Sequence, residues 1–352
     1  MSRFFSGKYS ELEAYTPGEQ PQDRKYLKLN TNESPFPTSP KAMKTVENVR
    51  PLQLYSDPQC GIIRDKLAEV YGVDRDEIIA VNGSDELLNF TIMAFADEEH
   101  PLAFPDITYG FYPVFAALNH VPFEEIPLTE DFKINVDDYK GINKNIIIAN
   151  PNAPTGIALP LSDIETILKT NPDNVILIDE AYVDFGAESA VGLIHKYDNL
   201  IVAQTFSKSR SFAGARLGMG FACRELINDL NTIRFSTNPY NVNSCSMYLG
   251  TAILDDEEYT KANCLEIIKN REYTVQQLRE MGFEVTDSSA NFIFARTPDM
   301  DGGELYRKLK DEGVLVRHFF KKERICQYNR ISIGTREQME AFLAAVRKIM
   351  GE

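Results

Sequence analysis

The chain has 352 residues, of which 43% are hydrophobic and 25% are charged, proportions that are ordinary for a globular protein with one large core and a smaller companion domain. Its formal net charge of −15 disfavours broad binding to nucleic acid or to an anionic membrane surface. The N-terminus lacks the apolar stretch of a signal peptide and no run could span a bilayer, so we expect a soluble, cytoplasmic protein without membrane or nucleic-acid partners.

Cysteine and histidine usage argues against metal sites and disulfides. The five cysteines are scattered without a CxxC spacing, and reduced thiols are therefore expected. The histidines also lack ligand spacing, so the sequence predicts no metal site. His318 adjoins an arginine of interest below, but an ordinary surface histidine is the favoured interpretation.

The predicted elements form three successive regions. Residues 1–30 are polar and rich in turn-forming residues, which indicates an irregular arm that packs on the small domain or on a partner subunit. Residues 31–240 alternate short apolar runs with amphipathic stretches. The runs at 78–81, 146–149, 175–178 and 200–203 are continuously apolar, which is typical of strands buried on both faces of a mostly parallel sheet. We therefore expect a large α/β domain with helices on both faces.

The pattern of apolar and charged residues changes after residue 240. A charged amphipathic stretch at 256–281 predicts a helix that bridges two domains. Strand-like and helical segments then alternate, which indicates a small α+β domain over residues 241–352. Its predicted strands lie at 292–294, 314–316 and 331–333, and its predicted helices at 304–311 and 337–349.

Polar clusters follow four of the apolar runs in the large domain, at 82–86, 150–156, 179–182 and 205–209. Ligands of parallel sheets bind outside the carboxyl ends of the strands, so these clusters should converge on one crevice. Gly83, Ser84 and Asp85 open a predicted helix whose free N–H groups suit a phosphate, although an ordinary N-cap is the alternative. Ser207 and Arg216 could bind the same phosphate, or be surface residues.

Two further residues of these clusters carry charge at a strand end. Asp179 closes a predicted buried strand, where its carboxylate needs a positive partner such as a protonated pyridine nitrogen or a nearby basic side chain. Lys208 could be a desolvated nucleophile, although a solvated loop lysine is the commoner case for any single lysine. Each signal is weak alone.

The order and spacing of these residues carry more information than any one of them. Asp-Glu-Ala-Tyr at 179–182, Ser-Lys at 207–208 and Gly-Ala-Arg at 214–216 resemble the signature of fold-type I pyridoxal-phosphate aminotransferases. Further matches at 29–33, Tyr55, 83–86, 108–110 and 329–336 extend over nearly the whole chain, and in this fuller form the sequence resembles the histidinol-phosphate aminotransferases.

The resemblance implies pyridoxal 5'-phosphate as cofactor and assigns roles around it. Lys208 would bind the cofactor covalently and move a proton, Asp179 would pair with the ring nitrogen, and Tyr182 would hydrogen-bond the ring hydroxyl oxygen. Tyr109 would stack on the ring. The phosphate would lie on the amides of Ser84 and Asp85, on Ser207 and on Arg216. Tyr55 would reach the phosphate in the partner subunit, which implies a homodimer.

The resemblance also implies the substrates and their ligands. The amino group would pass between glutamate with 2-oxoglutarate and histidinol phosphate with its oxo form, in histidine biosynthesis. Arg330 would bind the carboxylate, Arg317 would be a second anion-binding arginine, and Tyr15 and Asn30 would approach from the arm. For Arg317 a surface salt bridge is an equal alternative, and Asn30 could instead satisfy turn and cap groups.

Ala153 departs from the pattern, because the family usually has an asparagine immediately before Pro-Thr-Gly that hydrogen-bonds the ring hydroxyl oxygen. Three other functions remain open. One is an aromatic amino acid aminotransferase, and another is a threonine-phosphate decarboxylase of the same fold. The third, an effector domain of a transcription regulator, is disfavoured by the acidic charge and by the lack of a recognisable DNA-binding segment.

Overall fold

The computed structural model describes residues 5–49 and 52–351. The strands are β1 Leu27–Lys28, β2 Ile78–Val81, β3 Leu102–Pro105, β4 Phe123–Ile126, β5 Asn145–Ala149, β6 Ile176–Asp179, β7 Leu200–Thr205, β8 Gly218–Ala222, β9 Glu284–Val285, β10 Phe292–Arg296, β11 Val314–Leu315, β12 Arg317–His318 and β13 Asn329–Ser332. The α-helices are α1 Pro40–Met43, α2 Gly61–Tyr71, α3 Ser84–Phe95, α4 Tyr112–Leu118, α5 Leu161–Thr170, α6 Arg224–Thr237, α7 Ser244–Leu254, α8 Glu257–Glu280, α9 Gly302–Asp311 and α10 Arg336–Met350.

A seven-stranded sheet with the order β2-β8-β7-β6-β5-β3-β4 organises the large domain. Strands β3 to β7 run parallel to one another, and β8 is antiparallel to both β2 and β7. Successive residues of β6 point to opposite apolar clusters, with Ile176 and Ile178 in one and Leu177 in the other. Because both faces are covered, the strand is apolar at successive positions 176–178, which is the continuous pattern seen in the sequence. The predicted α/β class with a mostly parallel sheet is confirmed.

Helix α7 belongs with the large domain by its packing. Met247, Ile253 and Leu254 are buried in the same cluster as the sheet residues, and the helix lies against α1 and α2. We predicted that the small domain begins at residue 241, whereas the large-domain core continues to Leu254. The reason is that α7 carries its own apolar stripe, which covers α2.

The small domain follows, centred on an antiparallel sheet of order β12-β13-β10-β9. Helix α8 crosses between the two domains: Ile267 and Leu278 enter the small-domain core, while the guanidinium of Arg271 donates to the main-chain oxygens of Phe185 and Ala290 at 2.8 and 2.7 Å. The N-terminal arm returns to this domain, because β1 pairs in parallel with β11. None of the helices in residues 5–49 and 52–351 combines the length and apolar character that crossing a membrane requires.

Candidate active site

A cavity of about 290 Å³ lies where the carboxyl ends of the parallel strands face the small domain and the arm. Twelve of the thirteen residues singled out from the sequence line it. They are Tyr15, Asn30, Ser84, Asp85, Tyr109, Asp179, Tyr182, Ser207, Lys208, Arg216, Arg317 and Arg330. The thirteenth, Tyr55, lies outside the cavity with 83% of its surface exposed. The four polar clusters therefore meet at one edge of the sheet, as the strand-end argument predicts.

The N-terminus of α3 forms one end of this cavity. Gly83 precedes the helix with φ +84° and supplies no capping side chain, so the first N–H groups of α3 have no partner within the helix. A Cβ atom on Gly83 would come 2.4 Å from Nη2 of Arg216. That guanidinium also lies 3.2 Å from Asp85 Oδ2 and 3.4 Å from the hydroxyl of Ser207. Helix N–H groups, a hydroxyl and an arginine together make a donor set that suits a phosphate.

Tyr109 covers the cavity from the turn before α4. Its hydroxyl donates to Oδ1 of Asp85 at 3.0 Å, and burial raises the pKa of Tyr109 far above its usual range. The tyrosine therefore stays protonated, and its hydrogen bond to Asp85 helps to position its ring. Its edge meets the ring of Tyr112 at a centroid distance of 5.7 Å and an interplanar angle of 85°.

Asp179 is the last residue of β6 and is buried. Its Oδ2 accepts the hydroxyl of Tyr112 at 2.9 Å, and its Oδ1 accepts the main-chain N–H of Ala181 at 3.2 Å. Burial raises the pKa of Asp179 to about 6, while the Tyr112 hydroxyl opposes that rise. A buried carboxylate of this kind gains from a cationic partner in the cavity.

Lys208 follows β7 by three residues and projects into the same space. Its Nζ donates to the main-chain oxygen of Thr31 at 3.1 Å and lies 5.7 Å from the centre of the Tyr182 ring. The amine thus lies between the arm and the loop that follows β6. A primary amine fixed in a partly closed cavity is available as a nucleophile or a proton carrier.

Asn32, to which we assigned no role from the sequence, holds Tyr182 in place. Nδ2 of Asn32 donates to the Tyr182 hydroxyl at 3.1 Å, and Oδ1 of Asn32 accepts from the Ser332 hydroxyl at 2.9 Å. Asn32 has φ +55°, a left-handed conformation in which asparagine is one of the better-tolerated residues. Because the amide already donates to its oxygen, the Tyr182 hydroxyl is free to donate its proton into the cavity.

The position of Ala153 leaves a small apolar wall in the cavity, beside Tyr182 and Phe292. Asn152 does not replace the missing asparagine, because its side chain is buried and bonded elsewhere. It donates to the oxygens of Ile107 and Thr155 and accepts from the Thr108 hydroxyl at 2.8 Å. Asn152 therefore supports the loop rather than the cavity.

Arg317 and Arg330 lie directly opposite each other on the antiparallel strands β12 and β13. Nη2 of Arg330 donates to the main-chain oxygen of Asn30 at 2.9 Å, while its buried Nε has no hydrogen-bond partner among the described residues. Arg317 donates at 3.3 Å to the carbonyls of Thr16 and Pro17 in the arm. Like charges directly opposite on a sheet repel, so this pair is arranged for an anion between them.

The arm closes this side of the cavity. Tyr15 stacks on Phe111 with ring centroids 4.1 Å apart, and burial raises its pKa. The side-chain amide of Asn30 donates to the main-chain oxygen of Glu19 at 2.8 Å, so this asparagine also holds the arm in place. Five basic and two acidic side chains line the cavity, which concentrates positive charge in a chain of net charge −15.

His318 differs from its predicted place on the surface. It is buried, its ring stacks on Tyr306 at 5.8 Å, and its Nδ1 lies 3.2 Å from Asn329 Oδ1. The strand alternation explains this, because neighbours on β12 point to opposite faces and Arg317 takes the cavity side. In the described part of the chain, no group of three or more histidine, cysteine or acidic residues is arranged to hold a metal ion.

The residues present fit pyridoxal phosphate. The uncapped N-terminus of α3 beside Arg216 suits the phosphate, the buried carboxylate of Asp179 suits a protonated ring nitrogen, and Lys208 suits the aldehyde. A Cβ atom on Gly218 would meet the main-chain N of Ser84 at 2.5 Å, so only glycine lets β8 approach this helix end so closely.

The family model for class I and II aminotransferases matches residues 24–346. The chain belongs to this aminotransferase family. A histidinol-phosphate aminotransferase of Marinomonas sp. (strain MWYL1) is 47% identical over 353 residues, which cover 99% of this chain and 100% of the relative. The enzyme is thus a transferase of amino groups, a class whose members use pyridoxal phosphate.

Solved structures share the fold of this aminotransferase. The histidinol-phosphate aminotransferase of Sinorhizobium meliloti, in complex with pyridoxal 5'-phosphate, aligns with a TM-score of 0.86 and 21% identity over 93% of this chain and 92% of the other. The L-threonine-O-3-phosphate decarboxylase of Porphyromonas gingivalis aligns with a TM-score of 0.80 and 21% identity over 92% and 99%. The fold is therefore common to aminotransferase and decarboxylase, and the substrate must be argued from the cavity.

Proposed function

We propose that this aminotransferase moves an amino group between glutamate and histidinol phosphate in histidine biosynthesis. The observation that carries the proposal is the pair of arginines, Arg317 and Arg330, that lie opposite each other on β12 and β13 and face the cavity. Two guanidiniums side by side match a phosphate, whose charge approaches −2 and whose oxygens accept bidentate hydrogen bonds. The 47% identity with the histidinol-phosphate aminotransferase of Marinomonas sp. supports the same substrate.

The two donors of such a reaction share this anion site. Glutamate presents an α-carboxylate and histidinol phosphate presents a phosphate, and each offers a pair of oxygens that can accept two hydrogen bonds from an arginine fork. Arg330 is the more enclosed of the two and has an unpartnered Nε, so we assign it to the carboxylate as well as to the phosphate. Arg317 is already bonded to two arm carbonyls and adds charge chiefly for the phosphate.

The remaining cavity residues would hold the cofactor and handle protons. When bound, pyridoxal phosphate supplies an aldehyde that takes the amino group and a ring that accepts electron density. Lys208 would hold the cofactor through its aldehyde, and its amine would move the proton at the substrate Cα. The Asp179 carboxylate would keep a proton on the ring nitrogen. The Tyr182 hydroxyl would donate towards the ring hydroxyl oxygen, because Asn32 occupies one of the lone pairs of the tyrosine oxygen.

The phosphate end of the cofactor would rest on groups that point into the cavity at α3. The main-chain N–H groups of Ser84 and Asp85 and the side chains of Ser207 and Arg216 converge there. Tyr109 would cover the ring, and Tyr15 with the arm would exclude water from the substrate side. With Ala153 in place of an asparagine, Tyr182 alone would donate to the ring hydroxyl oxygen.

We further propose a homodimer in which Tyr55 completes the partner's phosphate site. Tyr55 stacks on Tyr240 at 4.5 Å while keeping 83% of its surface exposed. Leu52 and Leu54, beside it, are 61% and 64% exposed. Further exposed apolar side chains come from nearby segments: Met43, Val46, Ile62, Phe235 and Tyr248. Exposed large apolar side chains on neighbouring segments are typical of a protein interface.

A reducing compartment suits the chain. All five cysteines are free, and free thiols persist where glutathione and thioredoxin keep them reduced. The proposed location is therefore the cytoplasm, where the amino donor and its oxo acid are also available.

A half-reaction tests the substrate. The cofactor-loaded enzyme is mixed with histidinol phosphate in the absence of any oxo acid, and the absorbance is followed for conversion to the pyridoxamine form. Conversion, reversed by 2-oxoglutarate, supports the proposal. Release of CO₂ from threonine phosphate without the pyridoxamine form would identify a decarboxylase instead, and conversion by phenylalanine or tyrosine but not by histidinol phosphate would identify an aromatic aminotransferase.

A further inference from the structure

Tyr112 is a fully buried residue in the first turn of α4 and is not one of the residues that line the cavity. Its hydroxyl donates to Oδ2 of Asp179 at 2.9 Å. Among the described residues it is the one side chain that donates to this carboxylate, the other donor being the main-chain N–H of Ala181. A buried hydroxyl bonded to a carboxylate is rarely incidental, because either group alone would be desolvated without a partner.

The direction of this hydrogen bond is fixed. Burial and the neighbouring carboxylate raise the pKa of Tyr112 well above its usual range, so the phenol keeps its proton and can only donate to an ionised Asp179. The donation favours the charged form of the carboxylate against the burial that disfavours it. It also leaves the outer lone pairs of Asp179 facing the cavity.

The ring of Tyr112 has a separate role. Its edge meets Tyr109 at 5.7 Å and 85°, and it packs against Phe104 at 5.8 Å and 61°. The side chain therefore lies between two groups that face the cofactor, the ring of Tyr109 and the carboxylate of Asp179. Phenylalanine in its place would keep the packing and remove the hydroxyl alone, which makes the two roles separable.

We propose that Tyr112 is a positioning residue that holds the Asp179 carboxylate charged and aimed at the ring nitrogen of the cofactor. The inference rests on the proposed placement of Asp179 against that nitrogen. The hydroxyl acts through Asp179, so its effect must depend on the ring nitrogen. It must vanish for a cofactor that offers the carboxylate no proton.

A cofactor analogue tests this dependence without measuring turnover. The dissociation constant of the full-length chain is determined by absorbance titration for pyridoxal phosphate and for the analogue in which a C–H group replaces the ring nitrogen. In the wild type, pyridoxal phosphate binds more tightly. Tyr112→Phe should raise the dissociation constant of pyridoxal phosphate by about three- to tenfold. This is the expected effect of losing a hydrogen bond to a charged group that acts on the cofactor indirectly, through Asp179. Binding of the analogue should not change.

A matched control uses Tyr139, which is equally buried but whose hydroxyl has no hydrogen-bond partner among the described residues. Tyr139→Phe should leave both dissociation constants as in the wild type. Equal weakening of both cofactors by Tyr112→Phe would show a merely structural role and overturn the inference. No weakening of either would overturn it as well.

Asp179→Asn separates this inference from the proposed function. If Asp179→Asn abolishes the preference for pyridoxal phosphate over the analogue and Tyr112→Phe does not reduce it, the role of Tyr112 is rejected and the placement of Asp179 stands. If Asp179→Asn also leaves the preference intact, the placement of Asp179 against the ring nitrogen is rejected, and with it the inference.

Discussion

Nζ of Lys208 donates to the main-chain oxygen of Thr31 at 3.1 Å, which ties the amine in the cavity to the end of the N-terminal arm. The neighbours of Thr31 make two more contacts of the same kind. The carbonyl of Asn30 accepts from Arg330, and the amide of Asn32 donates to Tyr182. Three consecutive residues, 30–32, thus contact Arg330, Lys208 and Tyr182 and link the end of the arm to the arrangement of the cavity.

Lys208 should be the residue that carries the cofactor. Borohydride reduction of the loaded enzyme followed by peptide mapping should place the pyridoxyl group on Lys208, and Lys208→Ala should abolish transamination in a chain that still folds. The control is Lys322→Ala, since Lys322 also lines the cavity but donates from Nζ to the Asp106 carbonyl at 2.6 Å. Label on Lys322, or on any lysine other than Lys208, would refute the assignment.

Asp179 should control turnover and the affinity for the cofactor, but not the lysine to which the cofactor is attached. Replacement by asparagine keeps the shape of the side chain but removes the negative charge that would stabilise a protonated ring nitrogen. Preorganised electrostatic groups commonly supply ~3 kcal/mol or more, so kcat of Asp179→Asn should fall by at least about 100-fold while borohydride still labels Lys208. Near-normal kcat in this variant would show that Asp179 does not hold the ring nitrogen.

The proposed dimer predicts a strong effect of a charge in its apolar surface. Leu54→Asp buries a carboxylate in the interface, so sedimentation should detect monomers and the affinity for the cofactor should fall, because each site loses Tyr55 of its partner. Leu265→Asp, at a position 57% exposed on α8, provides the control and should remain dimeric. A Leu54→Asp protein that sediments as the wild type does would place the interface elsewhere.

Much of the fold was predictable because the buried strands leave a local signal. The continuous apolar runs of β2, β5, β6 and β7 require cover on both faces, and their polar ends fix one edge of the sheet as the site. Helix α7, which we placed in the small domain, packs on the large-domain core, because an amphipathic stripe shows that a helix is packed but does not show which element it packs against.

The contacts within the site were less predictable. Tyr112 lies three residues after Tyr109, which is a helical spacing, but only the tertiary fold brings its hydroxyl to Asp179. Asn32 reaches Tyr182 across 150 positions, and its left-handed backbone has no sequence signal beyond the residue type itself. Lys208 bonds to a carbonyl oxygen of Thr31, an atom that every residue possesses. Pairings of this kind depend on long-range geometry and leave no trace in local sequence.

Glu180 predicts a pH dependence of stability. It is buried, it accepts from the Ser189 hydroxyl, the Ala190 N–H and the Gln204 amide, and burial raises its pKa from 4.5 to about 7. Because the folded state binds this proton more tightly, its stabilising contribution is complete below about pH 4.5 and is lost as the pH rises through 7.

Glu180→Gln removes that titration. Its amide meets the same donors at every pH, so any penalty it introduces is constant. Relative to the wild type, the free energy of unfolding of Glu180→Gln should therefore increase between pH 5 and pH 8, by roughly 3 kcal/mol at most. Urea unfolding of both proteins, freed of cofactor, measures the difference. Parallel pH profiles would show that Glu180 does not titrate in this range.

The paired arginines make the sharpest prediction about the substrate. Removing one guanidinium should reduce the discrimination between histidinol phosphate and histidinol by roughly 1.5–3 kcal/mol, the worth of a hydrogen bond to a charged group. Arg330→Ala should also weaken the binding of glutamate as amino donor, whereas Arg317→Ala should affect glutamate binding less. Arg296 is the control, because this partly exposed arginine of the same sheet pairs with Glu284 and does not line the cavity.

The most direct test of the central claim is kcat/KM for histidinol phosphate and for histidinol, measured on the wild type, Arg317→Ala, Arg330→Ala and Arg296→Ala. We expect the wild type and Arg296→Ala to prefer the phosphorylated donor strongly, and both cavity variants to lose much of that preference. Equal kcat/KM values for the two donors in the wild type would contradict it.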